Sequence, residues 1–234
     1  MSIQLTFNAK KPKGFIFDFD GTLADSMNVW KYIDDEFMRR HNIKDADEYK
    51  KIIVPLGFEA GSKWVAKHFN LGISAKEIQQ EWIDLAKLSY EKYVVFNSGA
   101  LDYVKAVRAA GLPISIATSL NIDLLKSALD TNDALHLFDA LVSCDEFASK
   151  GKLEPTVYIE AAKKMSALTN TEIILKDCVV FEDMFLAAKT AKEAGATVVG
   201  KINKITDNID GLSDNNAALK EVCHCIIESF SELI

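Results

Sequence analysis

The chain has 234 residues, 49% hydrophobic and 26% charged, which excludes collagen-like, low-complexity and disordered polypeptides. Its 27 lysines and arginines against 34 aspartates and glutamates leave a formal charge of −7, a poor match to nucleic acid, whose phosphates call for clustered positive charge. No apolar run approaches the ~20 residues of a membrane span, so neither nucleic acid nor a membrane is expected as a partner.

Met1 to Lys13 carries basic residues at Lys10, Lys11 and Lys13 with no apolar stretch ahead of them, so no export signal is read. Four cysteines in a chain of this kind fit reduced thiols and a cytoplasmic location. The first strand signal is Gly14 to Asp18, an apolar run that stops at an acidic loop, Asp18-Phe19-Asp20-Gly21-Thr22. Two carboxylates two positions apart at a strand end can serve one reaction centre, one attacking an electrophile while the other moves a proton.

From about Ser26 to Asn97 no strand-like run stands out. Helical patterns cover Met27 to His41, Ser62 to Phe69 and Ala75 to Tyr93, the last with Ile78, Trp82, Leu85 and Leu88 on roughly one face. Strand-like runs then recur at Leu112 to Thr118, Leu137 to Ser143, Asp177 to Phe181, Thr197 to Gly200 and Cys223 to Ile227. Pro113 suits only the start of its strand. Helical patterns lie between the runs, as at Ile122 to Leu129, Thr156 to Met165 and Phe185 to Ala194, with Gly195 placed to close the last in a left-handed turn. Cys223-His224-Cys225 has the look of a metal triplet, but strand alternation puts both thiols on one face and His224 on the other, so it reads as a buried strand. Continuous apolar strands alternating with helices predict an α/β fold. Its Rossmann-like parallel-sheet core spans residues 1–24 and 98–234, with an inserted all-helical cap over 25–97. Ligands of such sheets bind beyond the C-terminal ends of the strands.

Three further strand exits carry chemistry: Thr118-Ser119, Lys150-Gly151-Lys152 and Glu182-Asp183. Each is bland alone, as a helix cap, a solvated basic loop or a polar strand end. Together they bring two acid pairs, a hydroxyl and an ammonium to one sheet edge, a set suited to a hard divalent cation and a phosphoryl group.

On these residues the chain resembles the haloacid dehalogenase-like superfamily, in the subgroup with a small helical cap after the first motif. The motifs are Phe17-Asp18-Phe19-Asp20-Gly21-Thr22-Leu23, Ala117-Thr118-Ser119, Gly151-Lys152-Leu153-Glu154-Pro155 and Val180-Phe181-Glu182-Asp183, and Ile226 to Leu233 resembles the family's last strand and helix. The resemblance implies Asp18 as the nucleophile that becomes an aspartyl-phosphate and Asp20 as general acid/base. Thr118 would hold a phosphoryl oxygen, and Lys152 would neutralise charge. Mg²⁺ would be held by Asp183, a carboxylate oxygen of Asp18 and the backbone carbonyl of Asp20, with Glu182 as a second acid beside it. Thr22, Ser119 and Lys63, shortly after Gly57-Phe58-Glu59-Ala60-Gly61, are the expected substrate contacts. Three positions depart from the family's usual pattern: Leu153, Thr156 and Met184.

Asp20 favours phosphate esters over the superfamily's namesake reaction. The expected activity is a Mg²⁺-dependent phosphatase acting on a small phosphorylated metabolite, with a hexose-phosphate mutase resembling β-phosphoglucomutase as the alternative. A mutase must grip a second phosphate, and the helical block offers only the adjacent Arg39 and Arg40. A non-catalytic phospho-receiver module shares acids, a hydroxyl and a lysine, but it carries no cap.

Overall fold

The computed structural model describes residues 3–8, 11–44, 49, 61–147, 151–203 and 212–234. The chain divides into two compact units, Met1–Asp25 with Val95–Ile234, and Ser26–Val94. In the first unit, strands β1 (Gly14–Phe17), β4 (Ile114–Thr118), β5 (Ala140–Ser143), β6 (Cys178–Glu182), β7 (Thr197–Lys201) and β8 (Cys225–Ile227) form one parallel sheet in the order β5-β4-β1-β6-β7-β8. From β1 the chain builds outward through β4 and β5, then returns across β1 to build β6, β7 and β8 on the other side. That reversal opens a crevice at the C-terminal end of β1.

Every residue of β1, β4, β6 and β7 is buried, which is why these strands read as unbroken apolar runs. Phe15 and Phe17 face one side, where they meet Phe181, Phe230 and Tyr103 of α4 (Ala100–Ala109), with the Phe17 and Phe181 rings 4.8 Å apart. Ile16, Val142, Val180 and Val198 join a second cluster with Tyr158, Ala161, Ala162 and Met165 of α6 (Thr156–Thr169) and Ala188 and Ala191 of α7 (Phe185–Glu193). Helix α5 (Ile122–Thr131) follows β4, capped by Asn121, and α8 (Leu212–Val222) packs on α7. Gly195 closes α7 at φ +100° as its sequence position suggests, whereas α6 closes on a left-handed Asn170.

The strands are shorter than the apolar runs. Leu112 and Pro113 precede β4, Leu137 ends a 3₁₀ turn, and Asp177 ends another. The Cys223-His224-Cys225 expectation needs correcting. Cys223 follows α8, only Cys225 belongs to β8, and His224 sits in the turn between them. His224 donates its backbone N–H to the Val198 carbonyl at 2.8 Å and accepts the Val198 N–H at Nδ1 at 3.0 Å, so it is spent on closing the turn.

The second unit holds α1 (Met27–Arg40), α2, described over 61–68, and α3 (Ala75–Lys92), and its described residues include no strand. Helix α3 opens with a capping box in which Ser74 and Glu77 satisfy each other's backbone N–H groups. Ile78, Trp82 and Leu85 are buried, and Trp82 meets Phe37 of α1 edge-on at 5.5 Å. Leu88 is exposed instead, because the stripe of 78, 82 and 85 continues at 89, where Ser89 returns its hydroxyl to the Leu85 carbonyl at 2.8 Å. Asp25, Val95 and Phe96 lie in the stretch read from sequence as helical, yet they pair within the first unit. Strands β2 (Ala24–Asp25) and β3 (Val95–Phe96) form an antiparallel ladder through which the chain leaves and re-enters that unit. No helix among the described residues is long and apolar enough to cross a membrane.

Candidate active site

Asp18 is the first residue past β1, and its backbone N–H donates to the Phe181 carbonyl at 3.0 Å, tying the loop to the end of β6. Register places Phe17 between Ile116 and Phe181, so Thr118, Glu182 and Asp183 leave the sheet at the same edge. Lys152 arrives from a 3₁₀ turn over Gly151–Leu153, and its ammonium lies between two carboxylates. It donates to Asp18 Oδ1 and, at 2.6 Å, to Glu182 Oε1. The Tyr158 hydroxyl donates to that same Oε1 at 2.6 Å, while Lys152 Nζ lies 5.8 Å from the Tyr158 ring centre.

The other Glu182 oxygen, Oε2, is buried with no hydrogen-bond partner, and so is Asp183 Oδ1. One carboxylate oxygen each from Asp18, Glu182 and Asp183 lies within 4.8 Å of the others. Two orphaned anionic oxygens in a buried group are costly unless a cation meets them. An all-oxygen donor set suits a hard divalent ion such as Mg²⁺, so the residues present fit the ion that the motif pattern implies. Burial pushes the Glu182 carboxyl up to about 7, with Asp18 adding to the rise and Lys152 opposing it. Burial likewise holds Asp183 well above the ordinary carboxylate range, reinforced by Asp18 and Glu182. For Lys152, burial works against the ammonium, but the carboxylates of Asp18 and Glu182 outweigh it and raise its pKa.

Asp20 is half-buried in the loop after β1 and forms an isolated bridge with Ala24. Its side chain stands outside the group of three acids. The loop is tight: Gly21 N–H reaches the Ala24 carbonyl at 2.8 Å, and Ala24 N–H reaches Phe19 at 2.9 Å. Gly21 adopts φ +82°, and a Cβ there would run into the Asp183 carboxylate, so glycine is required twice over. Thr22 is fully buried with its hydroxyl oxygen unpartnered. Thr118 is buried at the end of β4, and its hydroxyl oxygen accepts the Leu120 N–H at 2.9 Å. Ser119 is exposed beside it, its hydroxyl 3.7 Å from Cys144 Sγ. Lys63 belongs to the second unit, at an exposed position of α2. Lys150 and residues 57–60 lie outside the described residues.

Sequence reasoning missed Tyr158, Lys201, Asn203 and Asn215. Tyr158 carries no motif signal, since it reads as one more apolar-face residue of α6. Lys201 and Asn203 leave β7 at the same edge as the other site residues, so the strand-exit rule would have found them had it been applied to β7. Met184 stands at the N-terminus of α7 without offering a cap, and Asn215 from α8 supplies one by accepting the Phe185 N–H at 2.8 Å.

The fold and this acid-lysine site agree with the family comparison, in which residues 15–201 match the haloacid dehalogenase-like hydrolase model. The chain belongs to that family, as an enzyme of its phosphoric monoester hydrolase branch. It is similar to validoxylamine A 7′-phosphate phosphatase of Streptomyces hygroscopicus subsp. limoneus, 28% identical over 88% of this chain and 92% of that protein. Hexitol phosphatase A of Escherichia coli is 26% identical over 80% of this chain and 82% of its own length. A crystal structure of β-phosphoglucomutase from Clostridium difficile shares the fold, with a TM-score of 0.66 over 95% of this chain and 93% of that one at 13% identity.

Proposed function

We propose that the protein is a Mg²⁺-dependent phosphatase that hydrolyses a small phosphorylated metabolite, a sugar phosphate or similar, through an aspartyl-phosphate on Asp18. The observation that carries this reading is the pairing of Asp18 with Lys152 beside two orphaned carboxylate oxygens, on Glu182 and Asp183. Asp18, Asp183 and Glu182, with the Asp20 carbonyl, would hold Mg²⁺. The ion would offset charge between the carboxylates and the phosphoryl oxygens and help fix the ester in line with Asp18.

A carboxylate oxygen of Asp18 attacks phosphorus, and the P–O bond to the leaving group breaks. Asp20 gives its proton to the departing oxygen, then takes one from the water that hydrolyses the acyl-phosphate. Lys152 compensates the charge that Asp18 and the phosphoryl group bring together. The Thr118 oxygen already accepts the Leu120 N–H, so its own proton is available to a phosphoryl oxygen; Thr22 and Ser119 lie in the same loops to meet the ester. The helical unit serves as the cap, with Lys63 as its substrate contact.

Hydrolysis is preferred to phosphoryl return because the helical unit's arginines are already engaged. Arg39 grips both oxygens of Glu36 at 2.7 and 2.8 Å, and Arg40 bonds Glu36 at 2.8 Å and Glu81 at 3.3 Å. A mutase needs a second phosphate clamp, and these guanidinium groups are held by carboxylates instead. The relatives' names, a validoxylamine phosphate phosphatase and a hexitol phosphatase, support a polyhydroxylated phosphate ester as substrate. Free thiols at all four cysteines accord with a cytoplasmic setting. The test is a screen of phosphorylated sugars, polyols and nucleotides for phosphate release, with Mg²⁺ and with excess chelator. Metal-dependent turnover of one class supports the reading, and full turnover in chelator overturns it. Incubating β-glucose 1-phosphate with a trace of its bisphosphate adds a second arm, because glucose 6-phosphate formed faster than free phosphate would favour the mutase.

A further inference from the structure

Outside the motif residues, the exit of β7 and the start of α8 supply four polar side chains to a hydrogen-bond network around Asp183. Lys201 is buried, and its ammonium donates to the Asn203 side-chain oxygen at 2.8 Å and to the Ile202 carbonyl at 3.1 Å. An ammonium has no acceptor, so it fixes which end of the Asn203 amide it faces. The amide nitrogen must point the other way. That nitrogen donates to Asp183 Oδ2 at 3.0 Å. Asn216 holds the Asn203 backbone by donating to its carbonyl at 2.9 Å. Asn215 holds the Asp183 backbone, donating to its carbonyl at 2.8 Å while accepting the Phe185 N–H at 2.8 Å.

The consequence falls on the two oxygens of Asp183. Oδ2 is taken by Asn203, so the carboxylate cannot turn without breaking that hydrogen bond. Oδ1 is left buried with no hydrogen-bond partner, on a residue that has one carboxylate oxygen grouped with those of Asp18 and Glu182. The ammonium also polarises the amide between it and the carboxylate, which strengthens the bond that fixes Asp183 Oδ2. None of these side chains belongs to the motif set, and none was placed at the substrate.

We propose that Lys201 and Asn203 form a positioning arm that aims the free Asp183 oxygen at the divalent cation, Lys201 acting through Asn203. The inference rests on the metal-dependent phosphatase reading and adds to it the residues that preset the site. Outer partners that hold a metal-ligating carboxylate typically contribute ten- to a hundredfold in metal affinity.

Mg²⁺ binding to the full-length protein, measured by calorimetry without substrate, tests the arm. Asn203→Leu and Lys201→Met should each weaken Mg²⁺ by roughly ten- to a hundredfold. Turnover of p-nitrophenyl phosphate at saturating Mg²⁺ should stay within a few-fold of wild type. The double variant should bind no more weakly than Asn203→Leu, because the relay from Lys201 ends at that amide. Asn203→Ser, a smaller change at a half-buried position, gives the same reading should either larger change prevent folding, which near-ultraviolet circular dichroism reports. Unchanged Mg²⁺ affinity in folded Asn203 variants overturns the arm while leaving the phosphatase reading intact. Additive losses in the double variant overturn the relay from Lys201. Wild-type protein that binds no Mg²⁺ overturns the phosphatase reading and the arm together.

Discussion

Asp18 and Asp20 are separated by one residue, yet the structure gives them different surroundings. Asp18 is buried against Lys152, and Asp20 is half-buried in the turn that returns to Ala24. Asp18→Asn should therefore abolish phosphate release while the thermal midpoint stays near wild type, because a neutral amide is a poor nucleophile and the cation would lose a charged carboxylate ligand. Retention of more than a small fraction of the rate would rule out the covalent route. Asp20→Asn should cost roughly 10² or more on a substrate with a poor leaving group, since it removes a positioned general acid/base. An unchanged rate on that substrate would rule out the acid/base role. At Gly21, alanine would meet both a left-handed backbone and the Asp183 carboxylate. Gly21→Ala should lower the thermal midpoint, with the backbone conformation alone costing about 1–2 kcal/mol, and should weaken Mg²⁺ because Asp183 has to shift.

Helix α3 shows how far periodicity carries at the scale of an element. Its capping box is visible as Ser74 and Glu77, three positions apart, and its core face as 78, 82 and 85. The error at Leu88 arises because a 3.6-residue repeat drifts, and over three turns it hands the inner position to Ser89. Trp82→Ala should remove about 3–5 kcal/mol from the packing of α1 against α3, given its burial beside Phe37. Hydrogen exchange should then rise in residues 26–94 well before it rises in the parallel sheet; a uniform rise across both units would show that they open as one. Helix α7 makes the complementary point. Met184 leaves its N-terminus uncapped in sequence, and the missing acceptor comes from Asn215, 30 positions away, which no local rule could name.

For the whole molecule, the buried acid cluster predicts how stability responds to pH. Glu182 has an ordinary carboxyl pKa in the unfolded chain and a folded value of about 7. Between those values the unfolded chain releases a proton that the folded protein keeps, so unfolding becomes easier as pH rises from about 4.5 to 7, and the loss then levels off. Asp183 shifts in the same direction as Glu182 and adds to that loss. Protein kept in chelator should thus melt lower at pH 8 than at pH 5, and Glu182→Gln should flatten the dependence. Mg²⁺ should restore most stability at the higher pH, where both carboxylates are free to ligate it. A melting point in chelator that rises with pH over this range would contradict the burial of these acids.

The fold class was legible in the chain itself, because strands covered on both faces are apolar along most of their length and their exits have to carry whatever chemistry the sheet edge performs. Asp18, Glu182 and Asp183 could be named for the same reason, each standing at the end of an apolar run, and Lys152 in the loop that follows β5. Other features arise only when distant segments meet. They include the ladder of Asp25 with Val95, the turn that uses His224, Tyr158 on Glu182, and the arm from Lys201 through Asn203 to Asp183. Hydrophobic patterning is a local property repeated along the chain. A hydrogen-bond partner for a buried oxygen is chosen by whichever donor the packed backbone brings within about 3 Å, and only the tertiary structure makes that choice.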